Sequence, residues 1–248
     1  MKSKLIVLLG GALSLGLVNA ASAADMAVKA RPVVAPVIVY SWTGCYVGVE
    51  GGGIWGRSRH SEQTAGVVTD ITNNFDLSGG LVGGTAGCNY QISNFVLGVE
   101  GDASWTNKSG SAADIPPFNT AFTSETKERA FYTLRGRAGV AFDRVLVYGT
   151  AGAAAADVGI TVTGPGVVAS ENKTVWGWTA GVGVEWAFAS NWSAKLEYLH
   201  ADFGNPTFFD VPPVGFSNRS GGIHLTDDLV RVGVNYKFNW ATPVVAKY

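Results

Sequence analysis

TVWGWTAGVGVEWAF, residues 174–188, is the stretch on which the fold turns. Trp176, Trp178, Ala180, Val182, Val184, Trp186 and Phe188 fall on one parity, and Gly177, Thr179, Gly181, Gly183 and Glu185 on the other. A period of two is the mark of a β-strand with two chemically different faces. Val230 to Phe238 repeats the scheme, with Val230, Val232, Val234, Tyr236 and Phe238 opposed to Arg231, Gly233, Asn235 and Lys237. Asn94 to Trp105 does so again, setting Phe95, Leu97, Val99, Ala103 and Trp105 against Gly98, Glu100, Asp102 and Ser104. Residues 43–55, 77–91, 130–142, 145–155 and 191–200 follow with less contrast, and 145–155 is so rich in Ala and Gly that its faces stay unassigned. The expected total is eight strands, an even number, as bacterial single-chain outer-membrane barrels require.

The links between these segments alternate in length. Short ones are expected at residues 91–94, 143–144 and 189–190, and long ones at 56–75, 106–129, 156–173 and 201–226. Short periplasmic turns and long extracellular loops are the asymmetry of an eight-stranded antiparallel transmembrane β-barrel.

Alternation alone does not separate a membrane barrel from a soluble one; composition does. Only 15% of residues are charged, while Gly (33) and Trp (8) are abundant. A soluble barrel needs a face crowded with charge, against the ~25% typical of soluble domains. Here the polar face is mostly Gly, Ala, Ser and Thr with an occasional ion, which suits a narrow lumen. The expected inward charge network is Glu50, Glu100, Asp102, Glu185 and Glu197 against Arg135, Arg137, Lys195, Arg231 and Lys237, with Glu50 and Glu100 paired to Arg135 or Arg137. Pairing offsets the several kcal/mol that a lone buried charge costs. Trp42, Tyr46, Tyr90, Trp105, Tyr132, Trp176, Trp192, Tyr198, Tyr236 and Phe238 are the expected interfacial girdles.

Residues 1–23 read as a secretory signal peptide: Lys2 and Lys4, an apolar run, then Ala21-Ser22-Ala23. That run is shorter than the ~20 residues of a spanning helix, and no later segment approaches that length. Residues 24–41, with Pro32 and Pro36, are expected to be a periplasmic linker, residues 42–238 the outer-membrane barrel, and residues 239–248 a C-terminal tail. The net charge of -1 and the scattered basic residues point to no nucleic-acid partner.

Cys45 and Cys88 fall at one height on neighbouring antiparallel segments and share outward parity, so a disulfide is expected in the oxidising periplasm. Two free, unreactive thiols are the rival reading. Neither a CxxC pair nor a nearby His suggests a metal. His60, His200 and His224 read as solvated loop histidines, and His200, Asp202 and Ser217 have no spacing that suggests catalysis. No enzyme activity, cofactor or metal is expected.

With these residues laid out, the chain resembles the alphaproteobacterial outer-membrane immunogenic protein family, porin-like small barrels related in architecture to OmpA and the opacity proteins. The likeness rests on Ala21-Ser22-Ala23, on Trp42-Thr43-Gly44-Cys45-Tyr46-Val47-Gly48, on Gly87-Cys88-Asn89-Tyr90-Gln91 and on Val230 to Phe238. It implies an outer-membrane protein that supports envelope integrity and meets host or environmental surface ligands through its loops, the alternative being a porin with a narrow channel. It also implies contact with outer-membrane lipid and lipopolysaccharide, and recognition by the barrel-assembly machinery through Tyr236 and Phe238, although residues 239–248 follow that signal.

Overall fold

The computed structural model describes residues 40–64, 67–117, 119–208 and 221–238. The proposed signal peptide, most of the linker, the tail and Ser217 lie outside them. The strands are β1 (Gly44–Thr64), β2 (Val67–Asp70), β3 (Phe75–Ile92), β4 (Phe95–Thr106), β5 (Ser109–Ala113), β6 (Thr123–Phe142), β7 (Val145–Gly164), β8 (Val167–Trp186), β9 (Trp192–Asp202), β10 (Thr207–Phe208) and β11 (Gly221–Phe238). Antiparallel pairing runs β1-β3-β4-β6-β7-β8-β9-β11, and β11 returns to β1 from Cys45↔Phe238 to Glu62↔Gly221. This is a closed ring of eight strands, and β2, β5 and β10 extend its upper wall.

The ring closes because its two faces want different surroundings. Outward residues between the girdles are apolar and exposed, among them Val49, Val82, Trp105, Leu134, Trp176 and Trp186, whereas Glu50, Glu100, Asp102, Arg135 and Glu185 of these strands are buried. On β8 the outward row from Trp176 to Trp186 matches the ~9–11 residues of a tilted spanning strand. Exposed aromatics mark both limits: Tyr90, Phe95, Phe142, Trp186 and Trp192 below, Trp55, Trp105, Tyr132, Trp176, Trp178 and Tyr198 above. On β7, whose faces sequence left open, Leu146, Tyr148 and Thr150 are buried inside and Val147 is exposed.

Two expectations need correction. The long links are in large part strand: β1 spans 21 residues and β6, β7 and β8 each 20, so the wall continues above the upper girdle. The 156–173 link is a hairpin whose strands pair as far as Gly164↔Val167, turning at Pro165-Gly166. Proline presets the first turn position, and Gly166, at φ 76, supplies the positive φ that the second needs. Alternation was hard to read there because no lipid contrasts the two faces. Trp42 and Tyr46, placed in the girdle, are instead buried inside the barrel, at 2% and 4% exposure. Tyr46 shares the inward parity of Glu50.

Small residues make room for the interior ions. A Cβ at Gly152 would stand 2.1 Å from the Leu134 carbonyl oxygen and 2.6 Å from the Arg135 Cα. Gly149 faces outward, and the nearest atom to a Cβ there is 3.9 Å away. Gly152→Val is therefore expected to cost about 1–3 kcal/mol of stability through overpacking, and Gly149→Val little. The unfolding midpoint of the heat-modifiable band on detergent gels reads the difference, and equal midpoints would contradict it.

Candidate functional site: the barrel lumen and its outer rim

Reading β11 inward from periplasm to exterior gives Asn235, Gly233, Arg231, Leu229, Asp227, Leu225 and Ile223. That order is the order of layers in the lumen: a charged centre, an apolar ring, a second charged group and an apolar cap.

The periplasmic mouth is filled by the residues just ahead of β1. Trp42 donates from Nε1 to the Asp143 carbonyl at 3.1 Å and from its backbone to Gln91 Oε1 at 2.7 Å. It packs with Tyr40, Val96, Ala141, Leu146, Tyr148 and Ala187. A segment that continues from the strand it plugs loses less freedom than a separate plug would.

Above it lies the central ion network. Arg135 donates to Glu100 at 2.7 Å, to Asp102 at 3.1 Å and to Glu197 at 3.1 Å. Arg231 reaches Asp102 at 2.7 Å and Glu197 at 2.6 Å, and also Glu50. Arg137 holds Glu185 at 2.8 Å and Glu100 at 3.3 Å, and lies 3.9 Å over the Tyr148 ring. Lys195 joins Glu50 at 3.1 Å and Glu100 at 3.2 Å. Tyr46 donates its hydroxyl to Glu100 at 2.6 Å while accepting from Arg137 at 2.6 Å.

The structure thus brings together every residue expected inside except Lys237, and in one respect pairs them differently. Glu50 meets Arg231 and Lys195, not Arg135 or Arg137: β1 adjoins β11 across the closing seam, whereas β6 stands beyond β3 and β4. Lys237 is a correction. It has inward parity but sits at the mouth, where it donates to the Ser41 carbonyl and lies 4.1 Å over the Tyr40 ring.

An apolar ring of Ile54, Leu81, Phe131, Leu199, Phe203 and Leu229 covers the network. Beyond it, above the girdle level of Trp55 and Trp105, Lys108 is fully buried between Glu128, at 2.5 Å, and Asp227. Sequence reasoning missed this group. Asp227 shared the parity of Leu229 and Arg231, a usable signal. Glu128 was hidden by a bulge between Glu128 and Ala130 that reverses the parity of β6. Two carboxylates share one ammonium here. Burial, reinforced by Asp227, pushes the Glu128 carboxyl up to about 8.

His60, expected to be solvated, is buried at 5% exposure because β1 continues past the girdle. Its ring contacts the Thr126 hydroxyl at 2.9 Å, and burial pushes it down to about 4. His200 faces outward on β9, and its partner is Asp228 at 3.0 Å, not Asp202. Cys45 and Cys88 are opposed on β1 and β3 and joined as a disulfide, with an S–S distance of 2.12 Å. Tyr236 meets Trp192 and Phe238 edge-on on the outer wall.

Comparison with known proteins gives a consistent result. Residues 10–238 match the family described as outer membrane protein beta-barrel domain. The chain is 36% identical over 238 residues to the 31 kDa outer-membrane immunogenic protein of Brucella melitensis, covering 89% of this chain and 94% of that one. It is 32% identical over 223 residues to the 25 kDa outer-membrane immunogenic protein of Brucella abortus, covering 88% and 91%. Among solved structures, the outer membrane protease OmpT of Escherichia coli superposes with a TM-score of 0.50 at 12% identity, over 82% of this chain and 99% of that one, a likeness of fold.

Two outcomes follow from the buried ions. Arg231→Met takes one of their two cationic partners from Glu50, Asp102 and Glu197 and should destabilise the barrel by about 3–5 kcal/mol; an unfolding midpoint unchanged in urea would contradict this. Glu128 binds its proton more tightly folded than unfolded, so its contribution is complete below the unfolded carboxyl range and is lost as pH rises towards about 8. The wild type should therefore lose stability between about pH 6.5 and 8, by at most ~1.4 kcal/mol per unit for one proton, while below that window His60, depressed by burial, contributes the opposite slope. Glu128→Gln should flatten that slope, and an identical slope in the variant would exclude Glu128 as its origin.

Proposed function

Since the chain belongs to the outer membrane protein beta-barrel domain family and lies in the outer membrane, we propose that it acts as a sealed barrel, supporting the envelope and presenting its extracellular rim to the surroundings, without enzymatic activity. The observation that carries this reading is the filling of the lumen in successive layers. Trp42 and Tyr40 occupy the mouth, the Arg135–Arg231 network the centre, and Phe131, Phe203 and Leu229 the level above. A ring of eight strands has an interior just wide enough for its own side chains, and an ion entering it would have to displace salt bridges between buried partners.

The tall, strand-built rim supports the surface role. Walls paired as far as Gly164↔Val167 hold the Pro165-Gly166 turn well clear of the upper girdle, on the side where host or environmental ligands would be met. The naming of the Brucella relatives as immunogenic outer-membrane proteins fits such exposure. Lipid and lipopolysaccharide are the expected neighbours of the outer wall, and Tyr236 and Phe238 are the expected mark for the assembly machinery. A catalytic role finds no support in the histidines: His60 is held by Thr126 inside the rim, and His200 by Asp228 on the outer wall.

Planar-bilayer recording tests the sealed lumen against a narrow porin. The refolded wild type is expected to give no discrete steps. Reproducible, ion-selective steps would overturn the reading in favour of the porin.

A further inference from the structure

The outer wall carries a file of two exposed arginines that the sealed lumen does not explain. Trp55, Arg57 and Arg59 alternate outward along β1, so two guanidinium groups stand in file above an interfacial tryptophan. Register sets His224 of β11 beside Arg59 and Asp228 beside Trp55, and His200 of β9 beside Asp228. Trp55, Trp178 and Tyr198 are exposed on the outer wall of β1, β8 and β9, and the Trp178 ring lies 5.8 Å from that of His200.

The acids beside the arginines hold these cations loosely. Asp76 is 3.7 Å from Arg57 with both side chains largely exposed, and Asp70 is 3.6 Å from Arg59. Exposed pairs of this kind are worth ~0–1 kcal/mol and yield readily to a better acceptor. Asp228 is otherwise engaged, accepting from the Tyr198 hydroxyl at 2.6 Å and contacting His200 at 3.0 Å. On β6, by contrast, Lys127 is held by Glu125 at 2.9 Å.

Height identifies the partner. Two strand residues rise about 7 Å, less after tilt, so Arg57 and Arg59 stand just outside the hydrocarbon boundary that Trp55 marks. This is the depth of the phosphates of the outer leaflet, and the file is continuous with the lipid-facing wall below. The planar guanidinium matches phosphate oxygens in a fork that an ammonium cannot reproduce.

We propose that Arg57 and Arg59, flanked by His224, bind the phosphorylated sugar headgroup of an outer-leaflet glycolipid whose acyl chains lie along Trp55, Trp178 and Tyr198. The site depends on the outer-membrane placement of the barrel and not on a sealed lumen, so lipid binding and conductance fail independently.

The test uses the processed full chain in micelles of uncharged detergent, with diphosphorylated lipid A as the probe and native mass spectrometry as the readout. Wild-type protein is expected to retain the probe, and to bind fully dephosphorylated lipid A about tenfold or more weakly. Arg57→Gln with Arg59→Gln should lose binding to the same degree while keeping the heat-modifiable band of a folded barrel. Lys127→Gln with Arg129→Gln, on β6, should bind as the wild type does. Equal binding of the dephosphorylated lipid overturns the proposal, as does unchanged binding by the Arg57/Arg59 variant. Displacement of the probe by millimolar inorganic phosphate overturns it in favour of a free-anion site. Should the double variant not fold, the comparison of the two lipids on the wild type decides alone.

Discussion

Everything in this barrel is arranged around ions that must be neutralised where bulk water is scarce. Arg135, Arg137, Arg231 and Lys195 face Glu50, Glu100, Asp102, Glu185 and Glu197 in a space surrounded by lipid-facing wall. Taking such groups out of water costs several kcal/mol each, and only close, multiply bonded partners offset it. Arg231 bonds three carboxylates and Arg135 bonds three, so no single pair is independent of the rest. Because the partners come from β1, β4, β6, β8, β9 and β11, the network is satisfied only when the ring is closed.

The remaining architecture follows from that requirement. Glycines such as Gly152 let the backbone of one strand approach the base of an arginine on the next. Apolar layers above and below keep water from competing for the ion pairs, with Trp42 and Tyr40 at the periplasmic side and Phe131, Leu199 and Leu229 towards the exterior. Lys108, Glu128 and Asp227 repeat the device on a smaller scale in the rim, where burial of Glu128, reinforced by Asp227, makes the rim sensitive to pH.

How far this was legible in sequence depends on contrast. Between the girdles lipid imposes Trp and Val on one face and the narrow lumen imposes Gly, Thr and Glu on the other, so residues 174–188 disclose a strand by inspection. Above the girdle both faces meet polar surroundings, and the outer halves of β1, β6, β7 and β8 pass for loops. Alternation yields parity but not partners: Glu50 finds Arg231 only through the closing seam between β1 and β11, which joins the two ends of the barrel. Lys237 shows the opposite failure, since inward parity at the mouth leaves a side chain beneath the network rather than within it. Glu128 was concealed by the bulge beside it, and Trp42 by an assumption that aromatic residues near strand ends face lipid.

The central claim is that the barrel is inside out relative to a soluble protein, with tryptophans such as Trp176 in lipid and ions, plugged by Trp42, within. Variants keeping a single tryptophan, reconstituted in vesicles whose acyl chains carry bromine near the headgroup, test it through fluorescence quenching. Strong quenching of Trp176 with little quenching of Trp42 is the predicted result. A Trp176 untouched by brominated lipid but quenched by aqueous iodide would contradict the account.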